Sequence, residues 1–155
     1  MELRPIGVIH SPYQERKDAP RQGRLSDNEI TLEIYPEFSQ GLKIIDKVSH
    51  IIVLYWGDRA NRETLQSFTP FSKEEMIGVF ASRSPNRPNP IAFCVADLIR
   101  CEGNLLTVRG VDALDGSPLL DIKVYSPAID SIPTATSWHM PTESENKIRG
   151  EKLDG

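Results

Sequence analysis

The segment Ser82-Arg83-Ser84-Pro85-Asn86-Arg87-Pro88-Asn89-Pro90 restricts this chain more than any other. Three prolines in six positions forbid regular helix, and none can donate to a central β-ladder. The residues before them, Ser84, Arg87 and Asn89, are pushed toward extended conformations. The segment is therefore a stiff, extended loop between two apolar runs, residues 76–81 (MIGVFA) and 91–101 (IAFCVADLIRC). A loop whose entropy is already restricted loses little more on binding. Its arginines and asparagine make it either a ligand clamp or a polyproline-like surface connector.

The flanking runs read as strands, and other segments read likewise. Residues 5–11 are short and β-branched. In residues 29–35, Ile30, Leu32 and Ile34 alternate with Glu29, Thr31 and Glu33, the period of a half-buried strand. Residues 48–56 (VSHIIVLYW) are nearly all apolar, as in a strand buried on both faces. Glu102-Gly103-Asn104 is a hairpin turn into residues 105–109, and residues 119–125 close the series. Helical signal is short: residues 38–45, and residues 61–68 with Asn61 as N-cap. Seven short strands with few helices predict a mainly β chain, a single antiparallel β-barrel with short peripheral helices.

At 155 residues the chain has the length of one domain. Residues 1–138 are assigned to the barrel and the polar residues 139–155 to a peripheral tail. With 39% hydrophobic and 26% charged residues, neither disorder nor a fibrous fold is expected. No signal peptide and no membrane-spanning run is read from the sequence. Cys94 and Cys101 lack the spacing of a disulfide framework or zinc site, so the expected setting is cytoplasmic, with no metal. Cys94 reads as a small buried hydrophobe, and His50 as a hydrogen-bonded core histidine. Asp97 reads as either an edge residue or a buried acid needing a partner. No G-x-S-x-G, P-loop or G-x-G-x-x-G pattern occurs, which argues against serine hydrolase, P-loop and Rossmann chemistry. The net charge of −4 argues weakly against nucleic acid, yet arginine outnumbers lysine 11 to 7.

Two more loops carry chemistry. Ala19-Pro20-Arg21-Gln22-Gly23-Arg24 combines a stiffening proline, a permissive glycine and planar donors. In residues 112–123, Asp115-Gly116 signals a turn, and Asp115 either caps it or accepts from ribose hydroxyls. Asp121 and Lys123 share a strand face and read most simply as a surface ion pair.

Together these loops resemble the TsaA-like family. The match runs through Pro5-Ile6-Gly7, Ser11-Pro12, Ala19-Pro20-Arg21-Gln22-Gly23, Gly41-Leu42, Ser49-His50 and Gly78-Val79-Phe80-Ala81. It continues through Arg83-Ser84-Pro85, Arg87-Pro88-Asn89-Pro90-Ile91, Leu114-Asp115-Gly116 and Asp121-Ile122-Lys123, over about residues 1–130. Characterised members are S-adenosylmethionine-dependent tRNA methyltransferases that methylate N6 of threonylcarbamoyladenosine beside the anticodon. The resemblance implies a β-barrel unlike Rossmann-type methyltransferases, a homodimer and a cofactor near the subunit interface.

It further implies a cofactor pocket from Pro20, Arg21, Gln22, Arg83, Phe93, Leu114, Asp115, Gly116 and Ser117. Asp58 and Arg59 stand where some members carry His-Gln, and join that pocket. Ala92 replaces the family's glycine, Ser117 its threonine, and Val124 its proline before Tyr125. The extra C-terminal domain of longer bacterial members is not expected.

Methyl transfer depends chiefly on alignment, and well-oriented reactants gain roughly 7–11 kcal/mol over free collision. No nucleophile, metal or named base is called for. Arg87, Asn89, Lys123 and Tyr125 are candidates for holding the substrate. Arg16, Lys17, Arg21, Arg24, Arg59, Arg62 and Arg87 are candidates for one phosphate-binding surface. The alternatives are a methyltransferase of the same fold with another substrate, and a non-catalytic sensor or peptide-binding module.

Overall fold

The computed structural model describes residues 1–70 and 72–137; the expected tail, 139–155, lies outside the described residues. Eight strands follow in chain order: β1 Gly7–His10, β2 Glu29–Ile34, β3 His50–Trp56, β4 Gln66–Thr69, β5 Ser72–Gly78, β6 Ile91–Glu102, β7 Leu105–Arg109 and β8 Pro118–Val124. Every pairing is antiparallel. Six strands close a barrel in the order β1-β2-β7-β6-β3-β8, and β4 pairs with β5 apart from it.

Alternation decides what the barrel holds. β2 turns Ile30, Leu32 and Ile34 inward, and β3 turns Ile51, Val53 and Tyr55 inward. Leu106 and Val108 of β7, Ala96 of β6 and Leu119 of β8 complete a core in which the most exposed residue, Tyr55, is 8% exposed. Burying a side chain of the Val, Leu or Ile kind stabilises by about 1.5–3 kcal/mol, so these positions supply most of the drive to close. The outer face of β3 is half-buried, so that strand is not sealed on both faces as its composition suggested. Closure falls on a short seam. Gly7 pairs with Leu119 and Val8 with Pro118, and Ile6 N donates to Leu119 O at 2.8 Å.

Two expected elements differ. Residues 61–68 form no helix: Asn61 Oδ1 accepts from Glu63 N at 2.8 Å as a cap would, but the Arg62 guanidinium turns away to Pro88 O at 2.7 Å. Residues 66–69 then pair with β5 instead. The strand expected at 76–81 begins earlier, at Ser72, and ends at Gly78, after which Val79–Ala81 is a 3-10 turn. The short helix near residues 38–45 is a 3-10 segment, Pro36–Leu42, and Ile44 at φ 65° separates it from the next, Ile45–Lys47. The Gly103-Asn104 turn joins β6 to β7 as expected, with Gly103 at φ 62°.

The feature that positions the site is a mismatch in strand length. β6 pairs with β3 from Ile91 to Asp97, but with β7 only from Asp97 onward. Beside Val95 the missing neighbour is replaced by irregular chain. A Cβ on Gly23 would run into the carbonyl oxygen of Gly110, and one on Gly110 would lie 3.1 Å from Val95 O. Gly110 also sits at φ +107°, open chiefly to glycine. Gly23→Ala should therefore cost about 1–3 kcal/mol by overpacking, read as a lower urea midpoint. An unchanged midpoint would show that the loop gives way freely there.

Candidate functional site at the barrel mouth

The three loops meet at one end of the barrel, where β3 ends and β6 and β8 begin. The Arg83 guanidinium lies over the Phe93 ring, 5.3 Å from its centre. Its Nη1 donates to Gln22 Oε1 at 3.4 Å, so the proline loop, the first loop and β6 share one surface. Across the mouth, Arg59 Nη2 donates to Asp115 O at 2.8 Å and to Ser117 Oγ at 3.4 Å, while its Nε pairs with Asp58 at 3.2 Å. The structure thus joins Gln22, Arg83 and Phe93 in one group, and Asp58, Arg59, Asp115 and Ser117 in another.

The third loop is braced from inside. Asp115 Oδ1 accepts the backbone N–H of Ser11 at 3.0 Å, and Asp115 N donates to Tyr13 O at 2.7 Å. Gly116, at φ +81°, makes the turn, and its N–H reaches Ile9 O at 2.8 Å. Ser117 is buried and donates to Leu114 O at 2.6 Å. Of the two roles open to Asp115 in the sequence, bracing the turn is the one visible here.

The proline loop holds its shape through its own arginine. Arg87 donates to Ser82 O, Ser84 O and Val79 O at 2.9–3.2 Å. Asn89 Oδ1 accepts from Arg62, whose guanidinium lies 5.1 Å from the Trp56 ring centre. Of the cations expected on a phosphate-binding face, Arg87 holds its own loop, Arg62 holds the proline loop and Arg59 holds the third loop.

Lys123 and Tyr125 lie away from the mouth. Leu119 stands opposite Tyr55 and Val124 opposite Ile51, so Lys123 is about 13 Å farther along β8 at ~3.3 Å per residue. Lys123 pairs with Asp121 at 3.4 Å, as expected for a surface pair. Tyr125 meets the His50 ring edge-on at 6.4 Å. His50 is not a core residue: its side chain is 41% exposed because it sits on the outward phase of β3. It pairs with Asp97 at 2.9 Å, and Asp97 pairs with Arg24 at 3.2 Å. A polar track thus runs on the outer wall from the first loop to Tyr125.

One cluster escaped the sequence reading. Tyr55 O–H and Cys94 S–H both point inward at the mouth and donate to Asp112 Oδ1, at 2.8 and 3.1 Å. Burial pushes the Tyr55 phenol and the Cys94 thiol well up, and the Asp112 charge adds to both. Arg16 opposes this at Tyr55 and Arg83 at Cys94, so both guanidiniums act on the mouth. The available signal was a second acid three residues before Asp115, but only barrel closure brings Tyr55 and Cys94 beneath it. Among the described residues no group of three or more His, Cys, Asp or Glu is arranged for a metal, and no helix is long and apolar enough to cross a membrane.

The raised groups set an alkaline limit. Unfolded, the thiol titrates near 9.0 and the phenol near 10.0, whereas folded both keep their protons to higher pH. The native state then binds more protons, so this stability is whole below about pH 9 and declines above it. Urea midpoints should fall between about pH 9 and pH 10.5, and Cys94→Ala should flatten the first part of the fall. A level wild-type profile would refute the assignment.

Comparison with known proteins fits this geometry. A family model described as the tRNA-methyltransferase O N-terminal domain matches residues 8–131. An S-adenosyl-L-methionine-binding protein of Archaeoglobus fulgidus is 52% identical over 132 residues, covering 85% of this chain and 94% of that protein. A probable S-adenosyl-L-methionine-binding protein of the same organism is 49% identical over 149 residues, covering 96% of this chain but 40% of its own length. A crystal structure of TrmO superposes with a TM-score of 0.78 at 34% identity, covering 92% of this chain and 65% of that one. TrmO from Pseudomonas aeruginosa gives 0.74 at 35% identity, covering 88% and 60%. The chain thus spans less than two thirds of those structures and two fifths of one relative. A barrel of this closure, with its loops at one mouth and a family match over most of its length, belongs to the tRNA-methyltransferase O N-terminal domain family.

Proposed function

We propose that this chain binds S-adenosylmethionine at the barrel mouth and methylates N6 of threonylcarbamoyladenosine beside the tRNA anticodon. The observation that carries the reading is the convergence of Gln22, Arg83 and Phe93 with Asp58, Arg59, Asp115 and Ser117 at one end of the barrel. The donor set fits the cofactor: an aromatic face, guanidiniums for a carboxylate, and carboxylates for hydroxyls and cations. Pro20, Arg21, Leu114 and Gly116 belong to the same three loops and complete the proposed pocket.

When bound, the cofactor supplies an electrophilic methyl group on a sulfonium. Arg83, held over Phe93 and against Gln22, orients the methionyl end. The braced turn at Asp115-Gly116 fixes the nucleoside end without rearrangement. Arg87 acts by holding the proline loop in shape, while Asn89 presents an amide beside it. The track from Arg24 through His50 to Tyr125 and Lys123 suits the flanking RNA. With the cofactor bound, these residues would hold its methyl group in line with N6, the alignment on which transfer chiefly depends.

A second copy of this chain is the proposed cover for the mouth, consistent with a homodimer. Phe80 and Phe93 beside the mouth are 82% and 43% exposed, and Phe68 of the β4–β5 hairpin is 59% exposed. Such large apolar side chains rarely stay open together on a monomer. We place the reaction in the cytoplasm, with tRNA as partner. A cofactor-binding protein without transfer is the second reading, favoured by the name of the 52%-identical relative.

Incubation with S-adenosylmethionine and threonylcarbamoyladenosine-bearing tRNA should yield the N6-methylated nucleoside, detected by mass spectrometry. Cofactor binding without product would favour the second reading. Arg83→Ala should weaken cofactor binding by about 1–3 kcal/mol, and an unchanged dissociation constant by calorimetry would remove it from the pocket.

A further inference from the structure

We infer that Asp112 is the anion that holds a positive charge of the bound cofactor, making the mouth selective for adenosyl sulfur compounds that carry a cationic group over those that carry none. This rests on the cofactor reading above. Asp112 stands between Val111 and Ala113, which are 1% and 0% exposed, so its side chain takes the opposite, part-open phase. Tyr55 and Cys94 both donate to its Oδ1. They fix the carboxylate at the mouth and leave Oδ2 for a further partner. Neither donor carries a full charge, so they do not neutralise it.

The nearby acids serve other ends. Asp115 accepts the Ser11 N–H, and Asp58 pairs with Arg59. The guanidiniums that act on this cluster, Arg16 and Arg83, come from the turn just before the first loop and from the second loop, and Arg83 is already engaged with Phe93 and Gln22. The mouth therefore sets one rigid anion among cations, the pattern that matches a zwitterion carrying an extra positive charge. A carboxylate held by two side-chain donors needs no reorganisation when a cation arrives. A neutral amide in the same place keeps the hydrogen bonds and loses the attraction.

The test compares three ligands on the full chain by calorimetry. S-adenosylmethionine carries an ammonium and a sulfonium, S-adenosylhomocysteine only the ammonium, and 5′-methylthioadenosine neither. Asp112→Asn should weaken S-adenosylmethionine roughly 10- to 100-fold, the range of a charge-assisted hydrogen bond, and leave methylthioadenosine unchanged. Asp112→Glu should restore most of the preference. A parallel loss for S-adenosylhomocysteine assigns the charge to the ammonium, and a loss confined to S-adenosylmethionine assigns it to the sulfonium. The ratio of two ligand affinities is independent of the folded fraction, so partial unfolding does not imitate the effect. An unchanged ratio in Asp112→Asn overturns the inference while leaving the function intact. Wild-type protein that binds none of the three overturns the cofactor reading and this inference together.

Discussion

The short reach of β7 along β6 is the constraint on which the site depends. A sheet edge left unpaired beside Val95 must be covered, because bare N–H and C=O groups in a half-buried place are costly. The chain covers it with the first loop and with the segment leaving β7. Gly23 and Gly110 permit that approach, and Arg24 Nη1 completes it on Val95 O at 3.4 Å. The loops that gather the candidate site are thus also the patch that closes the barrel's irregular flank. Function and closure share residues, which ties the first loop to β6 rather than leaving it a surface connection.

Rigidity at the mouth comes from many small polar contacts rather than from burial. Arg87 ties two carbonyls of its own loop to that of Val79, Arg62 ties that loop to Trp56, and Arg59 ties β3's exit to the third loop. Each net contribution is modest, about 0.5–1.5 kcal/mol for an ordinary hydrogen bond. Their value is geometric. Transfer chemistry gains from reactants held in line, and a loop already fixed by proline and guanidinium loses little entropy when a ligand arrives. This division gives Arg59, Arg62 and Arg87 of an acidic chain a holding role at the mouth.

Much of the fold is legible in residue order. The alternation in residues 29–34, the Gly103 turn and the proline loop between two apolar runs all rest on local physics, and each forms where that physics places it. Residues 61–68 are the larger exception, beside the strand expected at 76–81 that ends at Gly78. A capping asparagine followed by a short mixed segment suits a helical turn, but Arg62 finds Pro88 O and residues 66–69 find β5. Tertiary partners outbid a weak local preference, as they commonly do in short segments. His50 shows the same limit, since an apolar neighbourhood in sequence does not say which face of β3 it takes.

The sequence by itself determined the β character, the three polar loops, and a resemblance specific enough to name a family. Those are local or collinear properties, carried by side-chain period, by proline and glycine, and by motif order. Only the tertiary structure decided that Asp112 meets Tyr55 and Cys94, 57 and 18 residues away along the chain, and that Arg24 meets Asp97 across 73. It also sent Lys123 and Tyr125 to the far end of β8. The reason is closure: strand order and register decide which ends share a mouth, and neither is written in any one segment.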